Sequence, residues 1–377
     1  MNILILALIL TTSNSFAACG GTVRTWAGTS VLWSTASNWS PANVPDTASE
    51  DAVIINTGVN ARVDSDMTVG CVDVQSGIFE GTTARTLTVT GDYFQAPNPG
   101  SLNLTSNRFE IVMAGTTPQS FEAADDVRDL ILSNTSTVTI KNNFRVLSDF
   151  TISGTGTTVI EGDLILNNAN IVQNIPSGHT VVVKNGASLF LSGGLTIDGV
   201  LQIEAGGEVI VRRNEVLTVN SGGILKLLGS SGNPARLVSE ASNRIFSFNM
   251  NGTLIANYFL IQRTDANGMN VSATISQLEN GEFRGIQNSG YGFTLGAAAF
   301  APTTMDSIGF YNDDGYASPF NINASAYNST ALTLTNYTGD VGGAAFENDP
   351  NGKITWSAPA ATAVSYTHLT LPTTPYV

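Results

Sequence analysis

Ionisable chemistry is what this chain has least of. Of its 377 residues 12% are charged, and only two are histidine and two cysteine. His368 falls in an anomalous tail, which leaves His179 with no Cys partner pattern and no nearby carboxylate motif. It reads as a solvated corner histidine rather than a catalytic one. Basic residues are also scarce, 16 Lys and Arg against 30 Asp and Glu, for a net charge of -14. A surface so acidic repels phosphate, which excludes nucleic acid as a partner. Beyond the first ten residues no apolar run is long enough for a membrane-spanning helix. Helical periodicity is nearly absent as well. The stretch from Phe121 to Leu130 is its best candidate, as one short helix or a loop between coils.

What the chain has instead is a rhythm. Between Val181 and Leu227 seven short apolar runs alternate with polar corners. They are centred on Val182, Phe190, Thr196, Leu201, Ile210, Thr218 and Leu225. Strands this short and frequent, among 37 glycines, suit a chain winding into stacked coils. Three corners share one shape, a strand end, a small polar pair, a Gly and a new strand: around Asn185-Gly186, Ala205-Gly206 and Ser221-Gly222. Gly accepts positive φ without a Cβ clash, so the backbone turns sharply there. The corner spacing of about 16 to 20 residues fits one turn of a β-solenoid and is short for a propeller blade. A sandwich of hairpins is the alternative, because hairpins use the same turns. In a solenoid the apolar residues stack into ladders, placing Ile203 inside and Glu204 outside. The same texture extends from Val72 to about Ile286.

The chain opens with an apolar stretch, Ile3 to Leu10, followed by Ser15-Phe16-Ala17, whose small residues suit a signal peptidase. Residues 1–17 are therefore expected to be a signal peptide. In an oxidising compartment a Cys19–Cys71 bridge is the simplest use of two cysteines. Lipidation of Cys19 and free thiols are the alternatives, since Phe16-Ala17-Ala18-Cys19 resembles a lipoprotein box with Phe where Leu is usual. At the other end, residues 364–377 look like the translation of a sequencing-library adapter. A genuine Thr-rich tail is the competing reading. Residues 358–363 then start a linker, with further domains expected beyond it.

Residues 18–70 differ from the rest. They hold three of the four tryptophans, in Thr25-Trp26-Ala27-Gly28, Val31-Leu32-Trp33 and Asn38-Trp39-Ser40, followed by Val44-Pro45-Asp46 and Val53-Ile54-Ile55. The exposed end of a solenoid core must be covered, and indoles cover it with few residues. This region reads as an N-terminal cap, with a sugar-stacking surface as the functional alternative. The same residues resemble the opening of secreted bacterial right-handed parallel β-helix proteins, adhesin-like and autotransporter-passenger-like. That resemblance implies an all-β, right-handed parallel β-helix displayed outside the cell, and supplies no catalytic residues. The solenoid proper is expected over 71–290, with C-terminal rungs or a cap over 291–357, where Trp356 is placed to close the core.

Candidate chemistry lies in acidic clusters: Asp64 with Asp66, Asp125 and Asp126 with Asp129, and Asp313 with Asp314. Spacing by two in a strand puts Asp64 and Asp66 on one face, where a metal or a glycosidase pair uses them. Asn312-Asp313-Asp314-Gly315 and the loop at Asp349 resemble oxygen-rich calcium loops, although neither matches an EF-hand. Arg212 and Arg213, adjacent in a strand, face opposite ways and make a poor anion clamp. Triplets such as Asn103-Leu104-Thr105 and Asn270-Val271-Ser272 arise by chance in so polar a chain. No catalytic residue and no cofactor other than calcium is expected. The leading function is a secreted or surface-displayed, non-enzymatic adhesin-like surface or stalk that meets an extracellular glycan or cell-surface component. A polysaccharide lyase or glycosidase on the same scaffold and a purely structural module are the alternatives.

Overall fold

The computed structural model describes residues 19–54, 59–76, 79–81, 85–97, 109–317 and 319–357. The expected signal peptide, linker and adapter-like tail lie outside the described residues, as does Asn103. The chain forms an all-β parallel solenoid of about 13 turns. Two 3-10 turns, Ala36–Asn38 and Ala344–Phe346, are the helical segments among the described residues.

Each regular coil contributes three strands. Thr180–Val183, Ser188–Leu191 and Leu195–Ile197 make one coil, and Val200–Glu204, Glu208–Val211 and Val216–Val219 make the next. Every strand pairs in parallel with its counterpart one coil on. The result is stacked faces whose three largest sheets, of 13, 8 and 7 strands, are called here the first, second and third face; a five-stranded sheet from Met67–Val69 to Phe150–Ile152 serves the earlier coils, and sheets of three and two strands lie towards the ends. All seven apolar runs between Val181 and Leu227 are strands of this system, and the parallel register rules out the hairpin sandwich.

Alternation makes the core. Val183, Ile203, Leu227 and Ala256 occupy one register position on successive coils of the first face, all of them buried. Full burial of each such side chain is worth roughly 1.5 to 3 kcal/mol, so the ladder supplies what the three-residue strands cannot. Tight approach fixes the corners. At Gly207 a Cβ would lie 2.7 Å from the Val183 carbonyl oxygen of the coil before.

The corner period differs from the sequence reading. Gly186 and Gly206, at φ 77° and 75°, turn the chain from the first face to the second on neighbouring coils, and Gly186 N–H donates to the Gly206 carbonyl. Gly222, φ 93°, turns it from the third face back to the first, so it belongs to another corner. The step from coil to coil is roughly 18 to 29 residues, because the corners carry insertions of different length. The segment around Phe121 is not helical. Gln119–Glu122 and Asp129–Leu132 are strands, and Phe121 and Leu130 are both buried core residues.

At the N-terminal end Thr22–Trp26 pairs in parallel with Glu50–Ile54 and antiparallel with Trp39–Ser40. Trp26, Trp33 and Trp39 are fully buried, with Trp39 edge-on to the other two at 5.0 and 4.6 Å. Their indole N–H groups donate to the carbonyls of Val59, Pro45 and Trp33. Asn38 is buried too. It accepts from Ser30 N–H and Thr29 Oγ1 and donates to the Leu32 carbonyl, which holds the loop between Trp26 and Trp33. The tryptophan motif is therefore an end plug, and no indole face is left for a sugar. Cys19 and Cys71 are disulfide-bonded, Cα atoms 5.7 Å apart, so Cys19 has no thiol to carry a lipid. At the far end Trp356 packs against Phe310 and Tyr337 and donates to Glu347.

Candidate functional site

The acidic clusters do not assemble into sites. Asp64 and Asp66 sit in a corner, not a strand, and turn opposite ways. Asp64 accepts from Ser34 N–H and Oγ on one side, and Asp66 accepts from Thr86 N–H on the other. Asp125 accepts from Gln95, Asp126 is ion-paired with Arg145, and Asp129 accepts from Asp149 N–H. Asp313 and Asp314 separate onto Arg284 at 2.8 Å and Arg263 at 3.0 Å, and Asp349 accepts from Ile354 N–H at 2.7 Å. One oxygen of each is thus held by a cation or an amide, while Asp349 Oδ1 is buried with no hydrogen-bond partner among the described residues. Among the described residues no group of three or more His, Cys, Asp or Glu side chains is placed to hold a metal. Arg212 and Arg213 also correct the reading, for both are exposed corner residues beyond the strand that ends at Val211.

His179 is the other correction. It is fully buried, with Nδ1 3.0 Å from the Gly154 carbonyl and Nε2 2.9 Å from Thr158 Oγ1. The carbonyl only accepts, so Nδ1 carries the proton and Nε2 accepts from the hydroxyl. Burial pushes its pKa below the usual imidazole value, which the Gly154 bond opposes in part. The corner buries the ring because it turns inward between two coils. Both ring nitrogens are engaged and neither is available to a substrate.

What remains as a site is the outside of the three faces, and they differ. Along one edge of the first face Glu122, Lys141, Glu161, Lys184 and Glu204 alternate in sign on successive coils, with Lys141 bonded to Glu122 and Lys184 to Glu204. The second face carries an outward apolar column, Ile165, Phe190, Ile210 and Val238, beside the Arg236–Glu208 ion pair. The third face has neither. Its seven strands contain one Asp or Glu, Asp265, and no Lys or Arg.

One register position of that seven-stranded face is filled by Asn or Thr on each of its coils. Asn174, Thr196, Thr218, Asn249, Asn270 and Thr294 follow one another in parallel pairing. The column goes on through Asn323 to Asn348, whose amide donates to Asn323 at 3.2 Å. Its inward neighbours, such as Ile197, Val219 and Val271, are completely buried, so strand alternation points the Asn and Thr outward. At the upper end Tyr291 stacks on Phe320 at 5.3 Å, and its hydroxyl lies 3.5 Å from the Asn348 amide. The first five members make no side-chain hydrogen bond to other described residues, which leaves their amides and hydroxyls free for solvent or ligand. Sequence reading missed the column, although its signal is there in Leu195-Thr196-Ile197, Leu217-Thr218-Val219 and Phe248-Asn249-Met250. Only a count of three strands per coil aligns them.

The chain matches no protein-family model, no curated protein and no solved structure. The fold therefore rests on the register itself. Among the described residues no helix is long and apolar enough to cross a membrane.

Proposed function

We propose that this chain is a secreted, surface-displayed solenoid that acts without catalysis, as an adhesin-like binding surface and stalk. The observation that carries the reading is the use of the carboxylates. Each candidate acidic group is tied to an arginine, an amide or a hydroxyl of a neighbouring coil or loop, which stabilises the scaffold rather than poising a general acid and base. Meanwhile three long faces present their outer sides, and at one terminus the buried indoles cover the core while the sheet ends in the two-residue antiparallel strand Trp39–Ser40. A disulfide and the leader-like start of the chain support export.

The test has two arms. Antibody labelling and protease shaving of intact producing cells should find the chain outside, and a glycan panel incubated with the purified chain should release no reducing ends. Retention in the cytosol, or steady release of reducing ends, contradicts the proposal.

A further inference from the structure

The three faces are built on one core, so their different outer surfaces are choices of side chain rather than consequences of folding. The third face is unlike the others in three ways: an Asn or Thr at one position of eight successive coils, no basic residue in its strands, and free hydrogen-bonding groups on most of the column. Neighbouring strands lie about 4.8 Å apart, so the column runs in a line on the order of 34 Å long.

We infer that the Asn/Thr column of the third face is a binding track for a neutral, extended polysaccharide lying along the solenoid axis. The inference rests on the proposed binding role and gives it a place and a ligand class. Amides and hydroxyls both donate and accept, which matches the hydroxyls of a sugar chain. A repeated row of such groups suits a repeating ligand, and each member adds a small increment. The stacked Tyr291–Phe320 pair at the column's end offers an aromatic edge against which a pyranose packs. Nucleic acid requires cations, and the strands of this face have none. A protein partner requires large buried anchors, and along the column itself the outward side chains are short and polar. An acidic glycan is disfavoured by the chain's net charge of -14.

The experiment uses the full chain and a panel of soluble neutral polymers, a β-glucan, a mannan and a galactan, with polygalacturonate and heparin as charged counterparts, read by affinity electrophoresis and calorimetry. Binding to at least one neutral polymer is expected, unchanged by added salt because no charges are screened. The double variant Thr218→Lys with Asn249→Lys should weaken it about tenfold or more. Thr218→Ser with Asn249→Gln should keep most of it, and Gln202→Lys on the first face should leave it intact. A melting curve matching the parent's shows that each variant is folded. Binding to none of the neutral polymers, salt-sensitive binding to the charged ones only, or equal loss in Gln202→Lys overturns the inference. These results are separable from the cellular test, for a chain found inside cells can still bind through this face, and a displayed chain can fail to.

Discussion

Ile203 sits in register against Leu227 on the next coil, both wholly buried, while Glu204, one residue on, reaches across the outside to Lys184 at 3.0 Å. Adjacent residues thus belong to different worlds. Ile203→Asp should prevent folding, since an unpaired buried carboxylate costs several kcal/mol. Glu204→Ala removes a half-exposed ion pair and should cost about 1 kcal/mol or less. Urea denaturation of both variants checks the assignment; equal tolerance would contradict it.

Loss of the Cys19–Cys71 bond should loosen the N-terminal coil. The bond closes a separation of 52 residues, for which chain entropy suggests about 4 kcal/mol. Hydrogen exchange after reduction should rise in Thr22–Trp26 and Glu50–Ile54 and leave Val200–Glu204 protected. Uniform exchange across all three strands would show that the bond does not act locally.

The tryptophan plug gives an optical prediction. Trp26, Trp33 and Trp39 are buried and hydrogen-bonded, so in a Trp356→Phe background, which removes the partly buried fourth indole, emission should be blue-shifted and resistant to acrylamide quenching, and should not respond to sugars. Trp39→Ala, which removes the ring that touches both others, should cost about 3 to 5 kcal/mol. A sugar-dependent change in this emission would reopen the stacking role.

His179 sets an acid limit. Its folded pKa is lowered by burial, so as pH falls through the ordinary value of about 6.5 the unfolded chain takes up a proton that the folded chain refuses. Stability should therefore decline from about pH 6.5 downward until the folded pKa is passed, and this part of the decline should vanish in His179→Gln. Parallel stability curves for parent and variant from pH 8 to 5 would refute it.

Much of this fold is legible in the residues because strand alternation and Gly corners are local signals. Val181 to Leu227 shows every strand, and the Trp26, Trp33 and Trp39 cluster announces a covered end. The coil period is not legible in the same way. Gly206 and Gly222 look alike but turn different corners, and a strand such as Leu195–Ile197 is too short to state which face it joins. Corner insertions, free to vary because they lie outside the ladders, hide the repeat further. The Asp64 and Asp66 pair misled for a related reason: spacing by two has meaning only inside a strand, and these residues lie in a turn. His179 was misread because a corner can turn inward between coils.

The stacking of coils is tested most directly by a distance between two positions far apart in sequence and close in register. Cysteines placed at Asn174 and Thr294, spin-labelled while the native pair stays bonded, are five coil steps apart on the third face. Pulsed EPR should give one narrow distribution centred near about 24 Å, five strand spacings. A broad distribution, or a centre at more than twice that length, would contradict the solenoid and the binding track together.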